Sequence, residues 1–137
     1  MPNEMLTKLQ QSSLKVTPKR VAILKLFNRD NKCLSPEFIW EKLKKQFDQI
    51  GLPSVYRNLE AFVEEGMLTK IQRDDNKRYY ALCHVEHGHH HHHIVCVQCG
   101  RVDDVDICDF PNVNTIKGYK VLNHTMQIEG VCAQCQK

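Results

Sequence analysis

Apolar residues recur at helical spacing in three segments of the first 65 positions. In "VTPKRVAILKLFNRD", Val21, Leu24 and Phe27 repeat every three residues with Ile23 beside them, which makes one apolar stripe. Thr17 and Pro18 stand where an N-cap and a first helical residue belong, so the helix is expected to start there. "SPEFIWEKLKKQF" repeats the device with Ser35 and Pro36, and its buried face is assigned to Ile39, Leu43 and the Trp40/Phe47 pair. A third helix is expected in "LPSVYRNLEAFVEEG", where Val55, Leu59 and Phe62 follow i, i+4, i+7 spacing and Gly66 ends the segment. The period then changes. "MLTKIQRDDNKRYYAL" holds two short runs around Asp75-Asn76, a turn-prone pair, and reads as a β-hairpin.

Three helices followed by a basic hairpin predict a winged helix-turn-helix, whose third helix enters the major groove of double-stranded DNA. With Val55, Leu59 and Phe62 facing the core, Ser54, Tyr56, Arg57 and Asn58 are left at the solvent-facing N-terminal end of that helix. Arg can pair with guanine, Asn with adenine, and a Tyr ring can pack on a thymine methyl. Lys15, Lys19, Arg20, Arg73, Lys77 and Arg78 are the cations expected to hold phosphates. The bland alternative is a small helical core with an ordinary solvated surface.

Charge sharpens this division. The net charge of +3 conceals a front half, residues 1–82, with 15 Lys+Arg against 10 Asp+Glu, and a rear half, residues 83–137, with 4 against 6. Seven of the eight histidines lie in 84–93 and six of the seven cysteines lie at or after Cys83. A basic DNA-binding domain over 1–82, ending in a hinge, is thus expected to precede a metal-binding domain over 83–137. A hydrophobic share of 42% is that of a globular chain. No apolar run approaches the ~20 residues that span a bilayer. The polar N-terminus "MPNEMLTKLQQSSLK" carries no secretory pattern, so the expected compartment is the cytoplasm, with no membrane partner. There, cysteines read as metal ligands or redox groups rather than disulfides.

Cys96-x2-Cys99 and Cys132-x2-Cys135 are matched pairs with 32 residues between them. Two thiolates grip one side of a metal, and two such pairs close a tetrahedral structural zinc site. Five consecutive histidines, His89 to His93, lead into the β-branched "IVCV" and are expected to enter a strand. Alternate side chains of a strand share a face, so His89, His91 and His93 would face one way and His90 and His92 the other. One run can then feed two sites. Cys83 lies just upstream; Asp104 is the favoured carboxylate of Asp103, Asp104 and Asp106; His124, on an expected strand leading to Cys132, can cross to the His90/His92 face. Cys108 and Cys33 are open between ligation and apolar packing. A flexible metal-buffering tract is the competing reading of the histidine run.

"SVYRNL" on the third helix, the histidine-rich segment, "CVQCG" and the terminal "GVCAQC" together resemble the ferric uptake regulator family of bacterial metal-responsive repressors, over nearly the whole chain. The resemblance implies an α+β fold, with the winged-helix domain followed by a C-terminal α/β dimerisation domain. It also implies a homodimer, metal-dependent binding to palindromic operators, and DNA contacts by Arg20, Tyr56 and Arg57. Where iron- and peroxide-sensing members carry a histidine before the second helix, this chain has Cys33, and Cys83 stands where they carry a carboxylate after the hairpin. Cys83 followed by histidines looks like the zinc uptake regulator branch, and exchanging carboxylate for thiolate moves a site toward zinc. Carried over by residue, the hinge regulatory site is Cys83, His91, His93 and His89 with Asp104, taking zinc or another divalent metal. The second site is His90, His92, His124 and Asp109. An iron- or peroxide-responsive repressor, a zinc or nickel storage protein and a C-x-x-C thiol oxidoreductase compete with this reading. No nucleophile–base pair or phosphate loop argues for an enzyme, and no small-molecule substrate beyond metal ions is implied.

Overall fold

The computed structural model of the protein describes residues 3–27, 31–83, 92–105, 114–122, 124 and 126–137. Its helices are α1 (Asn3–Gln11), α2 (Pro18–Leu26), α3 (Pro36–Leu43) and α4 (Leu52–Glu64). Two of them start as their sequences predict. The Thr17 hydroxyl accepts the Arg20 N–H at 3.2 Å and the Ser35 hydroxyl accepts the Phe38 N–H at 3.1 Å, with a proline in the first turn of each helix. α4 buries Val55, Leu59 and Phe62 on one stripe. Gly66 follows it at a φ of 78°, a left-handed conformation that glycine adopts without a Cβ clash.

Two corrections concern the helices. There are four before the hairpin rather than three, because α1 precedes the expected set and puts Met5 and Leu9 into the core. α3 ends at Leu43, so Phe47 lies beyond it; Phe47 and Trp40 are partly buried at the margin, and the Trp40 indole N–H donates to Ile50 O at 3.0 Å. The core itself joins Leu9, Ile23, Leu24, Phe27, Ile39, Leu59 and Phe62 with Leu68, Tyr80 and Leu82 from the hairpin.

That hairpin is the wing. β1 (Leu68–Gln72) and β2 (Arg78–Leu82) are antiparallel, with Leu68 opposite Leu82 and Gln72 opposite Arg78. The turn falls at the expected pair: Asn76 has a φ of 60°, and the Asp75 carboxylate accepts the Lys77 N–H at 3.0 Å and the Tyr79 hydroxyl at 2.6 Å.

In the rear half β3 (His92–Cys96) is the central strand of three. It runs antiparallel to β4 (Val102–Val105) and parallel to β7 (Gln127–Gly130). β5 (Thr115–Ile116) and β6 (Tyr119–Lys120) form a separate ribbon. Among the described residues the rear half contains strands and turns. His124 precedes β7 instead of lying on a strand.

Residues 31–33 stitch the halves together, and Leu34 ties the same segment to the wing. Leu34 and Tyr80 exchange backbone hydrogen bonds of 2.8 Å, the Cys33 N–H donates to Gly100 O at 2.9 Å, and the Val102 N–H donates to Asn31 O at 2.8 Å. A small apolar cluster therefore crosses the expected boundary, joining Cys33, Ile71 and Ala81 to Val95 and Val102. Cys33 is buried there, and burial pushes its thiol above the usual range.

Candidate metal centres and nucleic-acid interface

The ends of β3 and β7 bring the four cysteines of the two C-x-x-C pairs together. One ligand atom from each of Cys96, Cys99, Cys132 and Cys135 lies within 4.8 Å of all the others. Each pair closes on a tight turn: the Gly100 N–H donates to Cys96 O at 2.9 Å, and the Cys135 N–H to Cys132 O at 3.0 Å. Metal–sulfur bonds of about 2.3 Å give a tetrahedron edges of about 3.8 Å. The Cys99 and Cys132 sulfurs are 3.8 Å apart, so the donor set fits a tetrathiolate ion. The chemistry of the thiols agrees. N–H groups of Cys132, as donor at 3.3 Å, and of Cys99 hold the Cys96 thiol down to about 6, and the Cys135 N–H lowers Cys132. Cys135 is pushed up to about 12, first by its contact with Cys132. Four crowded sulfurs cannot all be anionic alone; a divalent cation among them removes that conflict.

Two histidines of the run are described, and strand alternation separates them. His93 faces β4, where its Nε2 is 3.1 Å from Asp104 Oδ1, its register partner. His92 points to the other face. Its Nδ1 accepts the Met126 N–H at 2.8 Å and its ring lies 5.3 Å, centre to centre, from that of His124. An acceptor Nδ1 carries no proton, so the proton of the neutral ring sits on Nε2. At 1% and 9% exposure, His92 and His93 are buried far beyond what histidine ordinarily shows.

Cys83 is buried at the end of β2, where its N–H donates to Met67 O at 3.0 Å. His89, His90, His91, Asp106, Cys108 and Asp109 lie outside the described residues. Of the two expected histidine sites, the described residues thus bring together His93 with Asp104 and His92 with His124. Asp103, the neighbour of Asp104, turns to Arg101 at 3.2 Å.

The expected DNA face divides less evenly. Lys15, Arg57 and Lys77 are exposed. Tyr56 is half-buried, with its hydroxyl donating to Glu37 Oε2 at 2.9 Å and the Arg78 guanidinium 5.9 Å from its ring. Nothing in the sequence marks Glu37 as that partner. Asn58 is a correction: its Oδ1 accepts from Arg20 Nε and its Nδ2 donates to Ser54 O, both at 3.0 Å. Each polar atom of Asn58 thus has one partner inside the protein, and its carbonyl holds the Arg20 guanidinium. Arg20 also donates to Lys15 O at 2.8 Å. Arg73 is the second correction. Its guanidinium stacks 5.2 Å from the Tyr79 ring centre and donates to Val97 O at 3.0 Å, so it faces the cysteine turn and not an open groove.

The sequence profile of the Ferric uptake regulator family matches residues 11–129. A Ferric uptake regulation protein of Staphylococcus epidermidis is 28% identical over 136 residues, covering 98% of this chain and 96% of that one. Among solved structures, the ferric uptake regulator of Francisella tularensis with iron is 31% identical, with a TM-score of 0.56 over 91% of this chain and 96% of that chain. A zinc uptake regulator complexed with zinc and DNA is 21% identical, with a TM-score of 0.77 over 98% of this chain and 91% of that chain, a likeness of fold.

Proposed function

Because the chain belongs to the ferric uptake regulator family, whose members are metal-responsive transcription regulators and not enzymes, we propose that it is a zinc-responsive repressor acting on palindromic operators of metal-uptake genes as a homodimer. The observation that carries the choice of metal is Cys83, a buried thiol on the residue directly after the wing strand β2. A thiolate beside imidazoles favours zinc, whereas carboxylate sets favour harder ions. His93 with Asp104 supplies the rear side of the same hinge site, with His89 and His91 as the remaining candidates. His92 and His124, with His90 and Asp109, are proposed as a second site, and the four cysteines as structural zinc.

A zinc ion supplies one positive centre that thiolate, imidazole and carboxylate can share. Cys83 directly follows the wing strand β2 and His93 lies near the start of β3, so a metal held by both would tie the wing to the rear sheet. In a dimer this sets the separation of the two α4 helices, which enter successive major grooves only near ~34 Å or a multiple of it. Tyr56 and Arg57 are proposed to read bases there, while Lys15, Arg20 and Lys77 hold phosphates. For the dimer, Tyr119 and Leu122 offer apolar side chains that are 76% and 83% exposed, an arrangement that suits a second copy.

An iron-responsive repressor is the second reading, favoured by the iron-named relatives. A gel-shift titration on operator DNA with free zinc, iron(II) and manganese(II) buffered separately distinguishes the two. Activation by zinc at lower free concentration than iron is expected; the reverse order rejects the zinc assignment. Cys83→Ser is expected to abolish zinc-dependent operator binding while the dimer and the tetrathiolate metal persist.

A further inference from the structure

Gln127 stands at the start of β7, in register with His93 on β3, and His93 donates its backbone N–H to Met126 O at 3.2 Å. Its side chain leaves the rear sheet altogether. Gln127 Oε1 accepts the Gln72 N–H at 3.0 Å, and its Nε2 donates to Gln72 O. One amide therefore makes both of the backbone bonds that a neighbouring strand would make to the edge of β1. Gln72 is the last residue of β1, immediately before the turn of the wing. On the next residue, Arg73 donates to Val97 O between Cys96 and Cys99. Gln127 and His93 also line one open cleft of about 770 Å³ whose opposite wall is the wing, Thr69 to Gln72 and Asn76 to Arg78.

We propose that Gln127 is a positioning residue that transmits metal occupancy at the His93 site to the DNA-binding wing, by holding the end of β1 through its paired hydrogen bonds to Gln72. The inference rests on the metalloregulator reading above. It adds the part through which a change at β3 reaches the wing. A shift of the His93 backbone on ligation moves its register partner Gln127, and the amide pair carries that shift to Gln72. The two bonds of the amide constrain both the distance and the tilt of β1 at Gln72, which an apolar packing contact in the cleft does not.

The test compares the full-length wild type with Gln127→Met and Gln127→Glu. Methionine keeps the length and packing and loses both hydrogen bonds. Glutamate keeps the acceptor for the Gln72 N–H and sets a negative oxygen against the Gln72 carbonyl. Operator affinity is measured by fluorescence anisotropy, without added metal and at saturating free metal, beside metal stoichiometry and dimer state. The coupling is the ratio of the two affinities, and for allosteric proteins such ratios run roughly 5–150-fold. Gln127→Met is expected to cut this ratio by about tenfold, with metal stoichiometry and dimer state unchanged, and Gln127→Glu to cut it at least as far. By reciprocity, operator DNA then tightens metal binding less in both variants. A ratio within twofold of wild type in both variants overturns the proposal. So does an equal loss of affinity with and without metal, which marks a merely structural role. The ratio is taken with whichever of zinc or iron(II) activates the wild type, so a wild type that answers only iron rejects the zinc reading while still testing Gln127.

Discussion

Glu60 holds two partners at once. Its Oε2 accepts the Tyr80 hydroxyl at 2.5 Å and its Oε1 meets Lys70 Nζ at 2.7 Å, tying α4 to both strands of the wing. Burial alone would raise this carboxyl; the bonds from Lys70 and Tyr80 outweigh it and hold the group below its usual value of 4.5. A carboxylate with a depressed folded pKa stabilises the fold above its unfolded pKa, and that contribution disappears as pH falls through the folded pKa. Thermal unfolding of wild type and Glu60→Gln is therefore expected to differ most above about pH 5 and to converge as the pH drops below 4.5. A difference in melting temperature that stays constant from pH 7 to pH 3 would refute this role. Residue roles of this kind are hard to see in a sequence. Asn58 and Arg73 look like DNA ligands by type and position, and each also bonds to a protein partner distant in sequence, Arg20 and Val97 respectively, that no local signal marks. Strand alternation gives the face of His93, whereas its meeting with Asp104 depends on the β3–β4 register, which no short-range signal specifies.

Elements were legible where their signals are local. The Thr17-Pro18 and Ser35-Pro36 starts, the Val55–Leu59–Phe62 stripe and the Asp75-Asn76 turn depend on neighbours within a few residues, and all recur in the structure. α1 was not legible. Only Met5 and Leu9 of "NEMLTKLQQ" reach the core, two apolar anchors in nine residues, and tertiary packing rather than periodicity makes the segment a helix. Its contribution is nevertheless measurable. Leu9 is fully buried in the main core, so Leu9→Ala removes its transfer free energy and leaves a cavity, at a cost of about 2–5 kcal/mol. Urea unfolding is expected to show that loss as a lower midpoint with an unchanged slope. A change under 0.5 kcal/mol, roughly the size for an exposed position, would mean that α1 is a peripheral attachment.

At the scale of the whole molecule, the described residues of the rear half supply little apolar core of their own. The buried hydrophobic cluster there rests on Val95 and Val102 and borrows Cys33, Ile71 and Ala81 from the front half. The sequence places the four cysteines in two pairs at the two ends of this half, which already implies that a metal bound there adds to the folding free energy, and the thin cluster among the described residues raises the weight of that contribution. The cysteine centre joins the end of β3 to the chain after β7, and the Arg73–Val97 bond carries it on to the wing. Metal bound by such a centre contributes its binding free energy to folding. Cys99→Ser is therefore expected to lose one zinc per chain that resists mild chelation, to unfold the rear half, and to abolish operator binding even with excess zinc. Four-helix packing around Leu24, Leu59 and Phe62 does not use this centre, so most of the helical circular dichroism should survive. Cys83→Ser offers the contrast, since it should spare that tightly held zinc and the fold. A Cys99→Ser protein that keeps its rear-half amide protection from hydrogen exchange and still binds operator on zinc addition would show that the strands, and not the tetrathiolate, hold this half together.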